Sequence, residues 1–446
     1  AVANAVARLD EAEAARAAEA TAAAVAESER IEAQRARVAA ELAASNAQAA
    51  STLAVANAAT ANANRDNAAA LIAELADFIE ADSTPKPLTG TTTPGPTPNV
   101  DELLAQARQF QCSTYVCTIG DQFFVDGEPF RFIGVSIRGL IHYGYDSNFF
   151  PYASSEQRWT QLAAAYQMGA RVVQINIAHK DANPEEVAQR FRHTLDIIEA
   201  NFPGMYITPV LTNKLGDVPF YVQGDSKFYT QQQNSYFSTL SEEFFQSGYK
   251  ENYLPFVRYI VAEFQNDPRI FAWQIGSELD LPGNPNLIID FHQEVADVIR
   301  EVDQNHLITT GLISTHQLGI DHNLKLRADL YGHPNIDFIT IHTYDGQDQD
   351  NDSDLAHQIN KPFILESGIS TSEGERPPRL KQDLEKWFNR GANGYIQWGF
   401  TAGPMDNGDG DNLVGLMEPA HADFHELYSI YQEFATDLTG SNSDSK

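Results

Sequence analysis

Eight short apolar runs, alternating with helical patterns, constrain this chain more than anything else in it. The runs are FRFIGV from Phe130, RVVQINIA from Arg171, MYITPVLT from Met205 and RIFAWQIGSE from Arg269. They continue with HLITTGL from His306, DFITIHTY from Asp337, KPFILE from Lys361 and GYIQWGF from Gly394. Among the stretches between them, Ser155 to Met168, Pro184 to Asn201, Tyr253 to Gln265, Leu287 to Val302 and Pro378 to Arg390 read as helices. Strands that are apolar along their whole length are buried on both faces, as in a parallel sheet covered by helices. Eight such units close into an α/β fold, the (β/α)8 or TIM barrel. An open doubly wound sheet is the alternative, but the strand count and the lack of a glycine-rich phosphate loop after the first run speak against it.

The barrel pattern occupies only part of the 446 residues. Residues 1–82 are rich in alanine and contain no proline, glycine or lysine. Alanine, glutamate and arginine favour helix, so one long helix or a helical pair is expected. Large apolar residues are sparse: Val2, Val6 and Leu9, then Ile31, Val38 and Leu42, then Leu71, Leu75 and Phe78. Their spacing marks one face, which suits a coiled coil or self-association, whereas a solvated tether would need no such face. Residues 83–99, STPKPLTGTTTPGPTPN, read as a semi-extended Thr/Pro/Gly linker. The barrel domain is expected over 100–446, opening with a short helix around Asp101 to Phe110.

A formal net charge of -31 argues against nucleic acid and anionic membrane as partners, while a neutral polysaccharide would not be repelled. No run is long and apolar enough to cross a bilayer. The two cysteines, Cys112 and Cys117, fit a small disulfide loop of a secreted protein, with two free thiols as the other reading. A zinc site would need further ligands nearby, and no metal or other cofactor is expected. The chain begins with Ala1, as a mature end left by signal removal or a trimmed chain would. An extracellular or cell-surface location is the expectation from the cysteines and that start.

Chemistry is expected where carboxylates close buried strands. Glu278 ends RIFAWQIGSE and Glu366 ends KPFILE. Burying a carboxylate is costly unless it has partners or a task. At the carboxyl ends of barrel strands, two of them gather at one mouth. Sugar cleavage needs such a pair, one to protonate the leaving oxygen and one to attack the anomeric carbon or activate water. His342 and Tyr344, in ITIHTY, alternate at another strand end, where the tyrosine is placed to hydrogen-bond a carboxylate, the other reading being that either is a satisfied core residue. Trp398, in QWGF, is either an apolar floor for a sugar ring or barrel packing. The acidic turn 406–412, DNGDGDN, lacks the full spacing of a helix-loop-helix calcium site and reads as a solvated loop.

The run RYIVAEFQNDPRIFAWQIGSE, Arg258 to Glu278, resembles the strand-four segment of glycoside hydrolase family 5, and its endo-β-1,4-mannanases in particular. FFVDGEPFRFIGVSIRG, DFITIHTY, KPFILESG and GYIQWGF match the same family in order and spacing, over roughly Gly120 to Phe434. The resemblance implies a secreted retaining β-glycosidase acting on a β-1,4-linked polysaccharide, with Glu278 as acid/base and Glu366 as nucleophile. It makes His342, Tyr344 and Trp398 substrate-binding residues. Two positions depart from the family pattern: Ser277 stands where an asparagine precedes the acid/base, and Gln174 where an arginine ends strand two. Ser277 can still donate one hydrogen bond to a sugar hydroxyl. Gln174 brings no charge, and Arg138 is the cation expected to replace it. These departures also motivate an alternative, a weakly active or inactive carbohydrate-binding protein on a glycosidase fold.

Overall fold

The computed structural model describes residues 112, 114–137, 140–141, 154–178, 183–213, 229–231, 238–279, 281, 283–313, 324–344, 350–368, 375–400 and 423–440. All lie in one compact unit, Pro98–Lys446. The expected alanine-rich helix, the linker, the helix at 101–110, Arg138 and the acidic turn 406–412 lie outside the described residues.

All eight expected strands form. They are β4 (Phe132–Ser136), β5 (Val172–Asn176), β6 (Tyr206–Val210), β9 (Ala272–Gln274), the pair β10 (Leu307–Thr309) and β11 (Leu312–Ile313), β12 (Ile339–Tyr344), β13 (Phe363–Gly368) and β14 (Gly394–Gln397), while β7 (Tyr229–Gln231) and β8 (Ser238–Leu240) form a separate antiparallel pair. The parallel order β10-β9-β6-β5-β4-β14-β13-β12-β11 is a barrel whose fifth strand is split. Its first half pairs with β9 and its second with β12. At the split the seam is closed by Asp337 N–H donating to Ile308 O (2.8 Å) and the Thr309 hydroxyl donating to Phe338 O (3.0 Å). Gly311, at φ +69°, makes the bend between the halves.

Helices Ser155–Gln167, Pro184–Asn201, Leu254–Phe264, Pro285–Val302 and Arg376–Asn389 form within a few residues of the expected bounds. The first two have capped starts. Ser154 caps the first with a reciprocal Gln157 bond, and Asn183 caps the second ahead of Pro184. Helices Leu324–Tyr331, Asp350–Gln358 and Phe424–Gly440 complete the described outer shell. Outward strand residues such as Val173, Ile207, Ile275, Ile341, Leu365 and Tyr395 pack on these helices.

The barrel interior is layered, and the layers follow the alternation of strand residues. The base is formed by Phe132, Val172, Phe271, Leu307, Phe338 and Ile364, all buried. An antiparallel sheet of β1 (Cys117–Ile119), β2 (Gln122–Val125) and β3 (Glu128–Phe130) covers that end and inserts Phe123. Phe123 meets Phe271 and Phe338 edge-on at 5.0 and 5.1 Å between centroids. Above it sit buried threonines, Thr208, Thr309 and Thr340. Higher still, Gln174, Gln274, His342 and Glu366 are polar and buried. One barrel thus has a dry base and a polar mouth.

Cys112 and Cys117 form a disulfide, five residues apart in sequence, at the edge of the capping sheet. Closing so short a loop stabilises by about 2 kcal/mol in the chain-entropy view. Reduction is expected to lower the denaturant midpoint accordingly and leave site chemistry intact, because the bond lies at the opposite end of the barrel. Unfolding curves with and without reductant check this.

Candidate active site

The two sequence-flagged glutamates meet at the polar mouth, with His342 between them. Glu366 lies within β13, in register with His342 on β12. Adjacent parallel strands in register put both side chains on the same face, so the contact follows from the ladder itself. His342 Nε2 touches Glu366 Oε2, and His342 Nδ1 lies 3.4 Å from Glu278 Oε1. The carboxylates are thus separated by one imidazole ring and a contact on each side, a span of at most about 8 Å. Glu278, His342 and Glu366 are 6 %, 3 % and 2 % exposed. Glu366 Oε1 has no hydrogen-bond partner among the described residues.

Glu278 does not sit at the end of a regular strand, as its run suggested. Pairing of β9 stops at Gln274, and an isolated bridge joins Ser277 to Asn213. Glu278 follows at φ 56°, in the left-handed region that non-glycine residues seldom occupy. Ser277 N–H donates to Thr212 O (2.9 Å) and Glu278 N–H to Gly311 O (2.8 Å), and these two bonds hold the unusual conformation. Such a residue, costing on the order of 1 kcal/mol or more, persists only where the surroundings over-determine it. Here the split fifth strand does so.

Burial alone would lower the His342 pKa, but the Glu366 and Glu278 carboxylates overcome it and raise it to about 9. The ring is therefore an imidazolium at neutral pH, a cation held between two acids. Because the folded value lies above the unfolded value near 6.5, the stabilisation is complete below about pH 6.5 and lost as pH rises through about 9. Melting temperature is expected to fall across that window, and a His342→Gln chain to lack this component; thermal melts from about pH 6 to about pH 10 test it.

Gln174 lies at the mouth as its strand position implied, but it does not face a glutamate. Its Nε2 donates to Gln274 Oε1 (2.9 Å). Gln274 Nε2 donates to Gly276 O (2.9 Å) and lies 3.4 Å from His342 Nε2. Ser277 and Trp398 are half-buried, with Trp398 N–H donating to Ser367 O (3.0 Å) one residue past β14. Tyr344 ends β12 in register with Gly368, and its side chain, like Arg138, lies outside what is described. Sequence reasoning missed Gln274 and Gly311. The signal for Gln274 was present: a lone polar residue in FAWQI, on the alternation that points inward. No group of three or more metal-ligating side chains occurs among the described residues.

Residues 206–368 match the family described as GH family 5 beta-mannosidase-like, a segment that includes Glu278, His342 and Glu366. Mannan endo-1,4-beta-mannosidase A of Podospora anserina is 31 % identical over 111 residues, 22 % of this chain and 28 % of that protein. Mannan endo-1,4-beta-mannosidase 7 of Arabidopsis thaliana is 26 % identical over 121 residues, 24 % of this chain and 27 % of that protein. The chain thus spans under a third of the length of these curated relatives. Among solved structures, the endo-1,4-beta-mannanase of Rhizomucor miehei superposes with a TM-score of 0.56 at 15 % identity, over 72 % of this chain and 99 % of that one. The endo-beta-1,4-mannanase of Thermotoga petrophila gives 0.53 at 17 % identity, over 72 % and 79 %. The chain shares the eight-stranded barrel of these structures, and its residues 206–368 are similar to the β-mannosidase-like members of glycoside hydrolase family 5.

Proposed function

We propose that the barrel is a retaining glycoside hydrolase that cuts a β-1,4-linked polysaccharide, mannan foremost, within its chain. The observation that carries this reading is the placement of Glu278 and Glu366 on either side of one imidazolium at the mouth. Glu278 protonates the glycosidic oxygen while Glu366 attacks the anomeric carbon, so the leaving sugar departs with the Glu278 proton. Water then attacks the glycosyl ester and gives its proton to Glu278, which releases Glu366 as the carboxylate and restores the acid. The contact to Glu366 suits its role. His342 Nε2 touches Glu366, which has to remain ionised, and an imidazolium there favours the charged form. Ser277, Trp398 and Tyr344 are assigned to sugar binding.

Product analysis after incubation with mannan, cellulose, xylan and laminarin tests the assignment. Short oligosaccharides from mannan above the others support it, with the newly formed reducing end first appearing as the β-anomer by NMR. A folded chain that releases no sugar from any of the four sinks it. Ser277 and Gln174, the latter bonded to Gln274, favour a second reading, glycan binding without turnover. That reading predicts glycan affinity unchanged in Glu278→Gln and Glu366→Gln chains. The disulfide supports an oxidising, extracellular setting. Self-association is assigned to residues 1–82; equal monomeric masses by light scattering for the full chain and for one starting at Val100 would remove that assignment.

A further inference from the structure

The buried amides beside the two glutamates assign a role to residues that the reaction scheme does not use. Gln274 has two possible orientations, and its surroundings allow one. The Gly276 carbonyl 2.9 Å from it accepts only, so the side of the amide that meets it carries N–H. The oxygen then points at Gln174, whose Nε2 donates to it at 2.9 Å. The NH2 group is also the part of Gln274 that lies 3.4 Å from His342 Nε2. An amide nitrogen donates and does not accept. Gln274 therefore gives the His342 Nε2 proton no acceptor to turn to, which leaves it directed at Glu366. Both amides are nearly fully buried, Gln174 at 4 % and Gln274 at 1 % exposed, so water does not randomise them. Gly311 fixes the far side. A Cβ there would lie 2.1 Å from Gln274 Nε2 and 2.0 Å from Gly276 O, so the chain passes against the amide with no room for it to swing.

We propose that Gln274, oriented by Gln174 and Gly311, is a positioning residue for hydrolysis: it presents a donor-only face to His342 and thereby aims that ring's Nε2 proton at Glu366. The inference rests on the hydrolase reading given above. It acts on the electrostatics around the nucleophile and not on sugar binding, so its loss should appear in kcat and not in KM.

The test uses the full chain with Gln274→Met and, separately, Gln174→Met, each removing the relay without adding charge. Turnover of a soluble manno-oligosaccharide is measured together with the nitrogen resonances of His342 in uniformly 15N-labelled protein, assigned with a His342→Gln chain. Gln274→Met is expected to lower kcat roughly tenfold with KM within about twofold, and to move the His342 Nε2 resonance. Gln174→Met is expected to move both in the same direction by less. An unchanged kcat, an unchanged resonance, or loss of activity that merely follows loss of the folded state in thermal melts overturns the proposal. The ring resonance is read without turnover. A wild-type chain that cleaves no glycan would sink the hydrolase reading, and the resonance would still judge the aiming of His342 by Gln274.

Discussion

Glu366→Gln is expected to abolish polysaccharide cleavage, lowering kcat by roughly 10⁴-fold or more, because a neutral amide neither attacks the anomeric carbon nor leaves as an ester. The change is nearly isosteric at a site where Glu366 is 2 % exposed, so the fold should survive. It also removes the larger of the two influences that raise the His342 pKa, so the ring should titrate well below its wild-type value of about 9. Glu278→Gln should behave differently. Natural substrate turnover should fall about 10²–10⁴-fold, as expected for a lost general acid. A dinitrophenyl mannoside, whose leaving group needs no proton, should still react in the first step and accumulate the glycosyl ester. Comparing mannan with the activated substrate in both chains checks the assignment; equal losses on both substrates in the Glu278→Gln chain would remove Glu278 from the acid role.

Gly311→Ala carries the second large expectation. Two costs add at this position. The backbone sits at φ +69°, where an added Cβ is strained, and that Cβ would also meet Gly276 O at 2.0 Å and Gln274 Nε2 at 2.1 Å. Neither neighbour is the far end of a free side chain: one is backbone and the other is pinned by two hydrogen bonds. The bend has to shift, and with it the carbonyl that accepts from Glu278 N–H at 2.8 Å. Stability is expected to fall by roughly 1–3 kcal/mol from the strained backbone. Activity is expected to fall about 10²-fold, since displacement of a catalytic group by an ångström costs about that much. Denaturant unfolding and kcat/KM on soluble substrate measure the two losses separately. An alanine chain with wild-type kcat/KM would show that Glu278 is not held from this bend.

The strand pattern was legible because parallel strands buried on both faces have to be apolar along their length. Each run found in the sequence corresponds to a barrel strand, and Pro184–Asn201 was readable to the residue because Asn183 and Pro184 mark its start. The apposition of Glu366 and His342 was partly legible too: both close apolar runs, and one register contact brings them together. What the sequence hid was anything decided by a bend. HLITTGL reads as one strand, yet Gly311 divides it. RIFAWQIGSE reads as one strand carrying Glu278 at its tip, yet pairing stops at Gln274 and the glutamate is held from the neighbouring bend. The antiparallel cap at 117–130 went unread because its three- and four-residue strands are too short to show a period. Gln174 was identified by its place in a strand, but its partner was not, since Gln274 lies 100 residues away and nothing local couples them.

The phenylalanine layer beneath the threonines makes the barrel a cup and not a tube. Whatever enters to react must leave by the same rim, and so must any displaced solvent. Because packed apolar side chains lie beneath the acids, charge that appears or vanishes on Glu366 during a reaction is answered by His342 and the groups around it more than by solvent at its back.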